Sequence, residues 1–209
     1  MKNTTEWSEN VIVVDADYID KVAFDLIVNF ERMIGRRIPQ ADMARWIDCV
    51  ALDGGLREGD HHTQVVLIHD RQREGLSNFI PSSYLGELHG KAFSDNLGEF
   101  CISAYAVEHI VSKEDYIADV LQTLLKQAEV KRIMVVVDME KPLIAATVRK
   151  VLSRGDYESL PTDGAMPETK RVTVFAMQPI SGGGFRQEIL GYSLMAALGI
   201  KAEEIKANT

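Results

Sequence analysis

The stretch Asn10-Val-Ile-Val-Val-Asp-Ala-Asp-Tyr-Ile-Asp20 constrains the fold more than any other part of the chain. Its apolar run, Val11 to Val14, breaks abruptly into carboxylates and then passes into a long amphipathic pattern. A valine-rich run without polar alternation suits a strand covered on both faces, as in a parallel sheet with helices on either side. Ligands of such sheets collect outside the carboxyl ends of the strands. Asp15 and Asp17 are expected there.

The same alternation continues along the chain. Ile19, Val22, Ala23, Leu26, Ile27, Phe30, Met33 and Ile34 form one stripe of a helix over 18–34, which Gly35 ends. Pro39 is expected to open a second helix carrying Met43, Trp46, Ile47, Val50 and Ala51, stopped by Gly54-Gly55. Further strands are predicted at 64–68, 100–107, 132–138 and 171–177, besides the first at 11–15. Between the last three, Ser112-Lys-Glu-Asp115 reads as a capped start to a helix striped by Ile117, Leu121, Leu124 and Leu125. Pro142 starts another helix, and a loop over 155–169 leads to the last strand. Ser181-Gly-Gly-Gly184 precedes a final helix expected from Phe185.

The resulting expectation is one α/β domain over 1–209, a three-layer α/β/α sandwich around a mainly parallel sheet of about five strands, PIN-like or Rossmann-like in outline. Residues 71–98 show no clean period and are punctuated by Gly75, Pro81, Gly86, Gly90 and Gly98. So long an excursion holds short elements such as a hairpin or an extra helix, or acts as a lid or subunit contact.

Composition narrows the function classes. There are 23 Lys plus Arg against 31 Asp plus Glu, a formal net charge of −8, which argues against a broad basic nucleic-acid surface. Arg36-Arg37, Arg71-Gln-Arg73 and Lys131-Arg132 are the small basic clusters that either border an acidic site or end solvated loops and helices. No run of 18 apolar residues exists, and MKNTTEWSEN lacks the apolar core of a signal peptide, so a cytoplasmic protein without membrane association is expected. Cys49 and Cys101 sit in apolar patterns and are read as buried reduced thiols.

Acids gather where the strands end. Asp15 and Asp17 follow the first strand, Asp138 and Glu140 the fourth, and Glu114, Asp115 and Asp119 open the long helix. Two carboxylates about 4 Å apart repel by about 4 kcal/mol at an effective dielectric of about 20. Such a cluster must therefore hold a proton, a basic side chain or a cation, and hard oxygen ligands in an open site suit Mg²⁺ or Mn²⁺.

The arrangement resembles the PIN-like nucleases, in particular their NYN branch. Val11-Ile-Val-Val-Asp-Ala-Asp17 looks like that family's first strand with its leading Asp. Glu114-Asp115 through Asp119 looks like its middle acidic helix, and Val135-Val-Val-Asp-Met-Glu140 like its late strand-end acids. The resemblance covers the first 150 residues in outline. It implies divalent-metal hydrolysis of RNA phosphodiesters, with Asp15 and Asp138 catalytic and Asp15, Asp17, Asp115, Asp138 and Glu140 holding Mg²⁺ or Mn²⁺. RNA is the partner it brings into view; a homo-oligomer is a separate expectation, alongside the reading of 71–98 as a subunit contact. The chain departs from the family at Tyr18, where Asn is common, and at Val136-Val137, where a small hydroxyl and a glycine are usual.

Two other readings use the same residues. In a non-catalytic scaffold, Asp15 and Asp17 cap the helix that follows and Asp115 is only a capping acid. In a haloacid dehalogenase-like phosphatase, Asp15-Ala-Asp17 supplies the attacking carboxylate, although the usual Thr does not follow. Ser181-Gly-Gly-Gly184 reads as a turn or as a phosphate cradle that lacks the spacing and Lys of a P-loop. His61, His62, His69, His89 and His109 show no metal-ligand spacing.

Overall fold

The computed structural model describes residues 6–153, 170–181 and 185–206. β1 (Asn10–Asp15) passes without a break into α1 (Ala16–Ile34), whose end is set by Gly35 at φ 69°. A short β2 (Ala41–Asp42) precedes α2 (Met43–Asp53), and then comes β3 (His62–Asp70). The expected helix start at Pro39 is therefore displaced: Asp42 caps α2 by accepting from Arg45 N at 3.1 Å, a bond Pro39 has no side-chain acceptor to make.

The excursion over 71–98 contains short elements. These are β4 (Phe79–Ile80), paired with β2, a single π-helical turn at Tyr84–Leu88, and β5 (Lys91–Asp95). β5 forms a tight hairpin with β6 (Gly98–Val107). Each piece is too short to display a period in the sequence.

After β6 come α3 (Lys113–Lys126), β7 (Arg132–Val136), α4 (Pro142–Ser153), β8 (Arg171–Ala176), β9 (Arg186–Ile189), α5 (Leu190–Ala197) and α6 (Ala202–Lys206). Ser112 caps α3 as its sequence indicates, accepting from Asp115 N. The final helix does not begin near Phe185, because Arg186–Ile189 pairs in parallel with β8 as an edge strand. Strand pairing outside any local pattern overrides the helical spacing there. The loop expected over 155–169 and the glycines at 182–184 lie outside the described residues.

Among the described residues the main sheet has seven strands in the order β5-β6-β3-β1-β7-β8-β9, parallel except for the β5/β6 pair. The five runs expected as strands are all present; β5 and β9 are the additions at the two edges. β1 is central. Val11 to Val14 are all fully buried and divide their side chains between two apolar clusters, one on each face. Ile12 and Val14 join residues of α1, α2 and α5, whereas Val11 and Val13 join residues of α3 and α4.

The helices on the α3/α4 face are narrower than the sheet. Phe100, Ile102 and Ala104 of β6 are buried with the α1/α2 side, but Cys101 and Tyr105 point to the other face and are exposed. Cys101 is thus a free exposed thiol and Cys49 a free, half-buried one, not the buried pair expected from their apolar neighbours. No described helix is long and apolar enough to cross a membrane.

Candidate functional site

Parallel strands align their carboxyl ends along one rim, and the chain leaves β1 and β7 for opposite faces of the sheet. The gap between these neighbours is the switch point at which such sheets bind ligands. Asp15, Asp17, Asp138 and Glu140 stand around this gap, but strand alternation sorts them onto two sides.

Asp15 follows Val11 and Val13 in parity and faces α3. It is only 4% exposed. Its Oδ1 accepts from Tyr18 N at 3.2 Å, which makes it the cap of α1, and lies 3.0 Å from Lys113 Nζ at the first turn of α3. Lys113 Nζ also donates to Asp17 Oδ2 at 2.5 Å, and that oxygen accepts from Asp70 N at 2.8 Å. The ammonium is therefore shared between the two acids. Burial raises the Asp15 carboxyl above its ordinary value, more than the neighbouring Lys113 lowers it. Burial also acts against the Lys113 charge, yet Asp15 and Asp17 together keep that group above its ordinary value.

A second cation extends the network. Arg73, from the 71–98 excursion, places Nη1 3.1 Å from Asp20 Oδ2 and Nε 3.6 Å from Asp17 Oδ1. The other oxygen of Asp20 accepts from Asn78 N at 2.8 Å and Asn78 Nδ2 at 3.2 Å. Buried Tyr84 stacks on buried His69 with ring centroids 3.8 Å apart. Burial, then the charges of Asp17 and Asp20, push the Tyr84 phenol up. The excursion is thus fastened to the β1 end through Arg73, Asn78 and Tyr84.

Asp138 is on the opposite side. Ile133, Val135 and Val137 belong to the α3/α4 cluster and Met134 and Val136 to the other, so alternation turns Asp138 toward α1. There it lines a cavity of about 250 Å³ with Tyr18, Lys21, Asp25, Glu140 and Met177. Its Oδ1 accepts from Glu140 N at 3.2 Å, and its Oδ2 is 3.7 Å from exposed Lys141 Nζ. Burial, then Asp138 and Glu140, push the Tyr18 phenol up. Asp115 is exposed and tied to its own cap, with Ser112 Oγ donating to Asp115 Oδ2 at 2.8 Å. Asp119 is likewise exposed on α3.

The structure therefore joins Asp15 to Asp17, and Asp138 to Glu140, without uniting the two pairs or adding Asp115. Among the described residues no three His, Cys, Asp or Glu side chains are placed to hold a metal ion. The Asp15–Asp17 pair does not fit a divalent cation while Lys113 Nζ bridges it. Lys113, Asp20, Asn78, His69 and Tyr84 are not expected here from the sequence. Arg73 belongs to the Arg71-Gln-Arg73 cluster, one of those read as bordering an acidic site or ending a solvated loop, and Asp20, three residues after Asp17 on the same helix face, is a second available signal.

No curated protein and no solved structure matches the chain. Residues 4–205 match one family, described as a family of unknown function, DUF6621. With that match spanning nearly its whole length, the chain belongs to the DUF6621 family.

Proposed function

We propose that this protein is a non-catalytic α/β binding protein, a three-layer sandwich of PIN-like outline whose acids serve structure and partner recognition, not hydrolysis. The observation that carries this reading is the position of Lys113 Nζ, 3.0 Å from Asp15 and 2.5 Å from Asp17. The repulsion that a cation would otherwise relieve is relieved by the chain itself. Asp15 is also committed as the cap of α1, and its near-complete burial leaves little access for an incoming phosphoryl group, which weighs against the phosphatase reading.

The crevice between β1 and β7 is where a partner engages. Asp25, Asp138 and Glu140 outnumber Lys21 there, and Val22, Leu26 and Met177 supply an apolar wall. A basic side chain with an aliphatic stem, such as Arg or Lys of a partner protein, matches that lining.

A second reading, metal-dependent RNA hydrolysis, is favoured by the acids' position at the switch point of a parallel sheet. It requires Lys113 to leave the Asp15–Asp17 pair. Calorimetric titration of Mn²⁺ and Mg²⁺, a single-stranded RNA cleavage assay, and titration of an Arg-containing peptide separate the two. The binding reading expects no saturable metal binding at low millimolar concentration, no cleavage, and peptide binding weakened by Asp138→Asn. Metal binding and RNA cleavage that both disappear in Asp15→Asn and in Asp138→Asn would establish the nuclease instead.

A further inference from the structure

The opposite end of the sheet carries a concentration of positive charge that the acidic composition conceals. Arg132 and Arg171 open β7 and β8 and are direct cross-strand partners. Arg186 opens β9, and Arg57 follows α2. All four line one cavity of about 480 Å³ with Gly54, Gly55, Val172 and Thr173, and no carboxylate is among the described residues that line it. Like charges directly opposed across strands are destabilising. Burial first, and then Arg171 and Arg57, press the Arg132 guanidinium below its ordinary value.

The guanidiniums are held in place without being used up. Arg132 donates Nη1 to Gly54 O at 2.7 Å and Nε to Asn10 Oδ1 at 3.3 Å. Arg57 donates Nη1 to Leu56 O at 2.6 Å and to Leu52 O at 3.1 Å. Arg186 spends Nε and Nη2 on Glu188 Oε1, and Arg171 makes no side-chain hydrogen bond among the described residues. A guanidinium has five N–H donors in a fixed fork, so each of the four keeps most of its capacity. The backbone allows for the cluster as well. Gly55 has φ +90°, and a Cβ there would lie 2.8 Å from Arg132 Nη1.

We propose that this cavity binds a compact polyphosphorylated anion, two or more linked phosphates, through Arg57, Arg132, Arg171 and Arg186. Charge and shape both favour this class. Glu188 offsets one guanidinium at 2.7 Å, and Glu9 and Asp53 act on Arg132 and Arg186 from beyond the lining, but four guanidinium forks spread round one cavity present more donors than the oxygens of a single phosphate accept. Planar forks that keep paired donors match phosphate oxygens bidentately. The described residues of the lining include no aromatic side chain on which a base could stack, unlike sites that follow single-stranded nucleic acid. The site stands at the amino ends of the strands, away from the Asp15 and Asp138 rim, and is independent of the function proposed for that rim.

Calorimetric titration of the full chain with inorganic phosphate, pyrophosphate, tripolyphosphate and an oligouridylate tests this. Affinity should rise from phosphate to tripolyphosphate and weaken as salt is raised. It should fall by about tenfold in Arg171→Gln and further in Arg171→Glu. Because Arg171 is exposed and opposes Arg132, neither change should lower the melting temperature of the free protein. Lys113→Met should bind as the wild type does. The proposal is overturned by the absence of binding at millimolar tripolyphosphate, by binding unchanged in Arg171→Glu, or by oligouridylate binding more tightly than tripolyphosphate.

Discussion

Replacing Lys113 by Met keeps the aliphatic stem and removes only the ammonium. The side chains of Asp15 and Asp17 are 6% and 18% exposed, and Lys113 itself 23%. Removing one partner of a buried ion pair leaves an uncompensated charge, a loss of about 3–5 kcal/mol when burial is complete. Partial exposure and the 3.6 Å approach of Arg73 Nε to Asp17 reduce this, giving an expected loss of about 2–3 kcal/mol. In a domain of this size the melting temperature should then fall by about 5–10 °C.

The loss should depend on pH in a defined direction. Burial already raises the folded-state pKa of Asp15, and without Lys113 it rises further. A folded state that holds its proton more tightly than the unfolded one gains stability as pH falls. The deficit of Lys113→Met should therefore be largest at neutral pH and shrink toward the ordinary carboxylate range near pH 4. Asp15→Asn removes the charge and retains an acceptor for Tyr18 N. In that background Lys113→Met should lose about 1–2 kcal/mol less than in the wild type. Urea denaturation of the four proteins at several pH values measures both effects. Strictly additive losses, or a Lys113→Met protein as stable as the wild type at neutral pH, would refute the bridging role of Lys113.

Three further outcomes follow from other sites. Burial first, and then a hydrogen bond shared with Asp95, push Asp48 up to about 7. The stabilisation from that shared proton is complete below about pH 4 and gone once pH passes the raised value; it is worth about 1–2 kcal/mol after allowance for solvent screening, and Asp48→Asn should flatten the melting temperature across that window. At Gly98, φ is +109° and a Cβ would lie 2.1 Å from His61 O. Gly98→Ala should therefore destabilise by at least about 3 kcal/mol in denaturant titration. The Tyr84 hydroxyl is buried without a hydrogen-bond partner, so Tyr84→Phe should leave the thermal midpoint unchanged or raise it by up to about 1 kcal/mol equivalent.

Much of this architecture is written in short-range pattern. Val11 to Val14 is legible as a central strand because a run apolar on both faces requires cover on both. The α1 stripe, the Gly35 stop and the Ser112 cap are legible because each depends on residues within one or two helical turns. β9 and the pieces of the 71–98 excursion are not. Four residues such as Arg186–Ile189 acquire strand identity only by pairing with β8.

The site divides in the same way. That Asp15 and Asp138 stand at strand ends follows from the chain itself. That they face opposite sides of the sheet follows from which of their strand neighbours enters which apolar cluster, a matter of tertiary packing. The cation that answers Asp15 comes from a helix 98 residues further along the chain, and the four arginines of the amino-end cavity come from three strands and the loop after α2. Residue types and local spacing determine which groups are charged and how each helix begins. Only strand order and register determine which charges meet, because Coulomb interaction depends on distance in space and the sequence records distance along the chain.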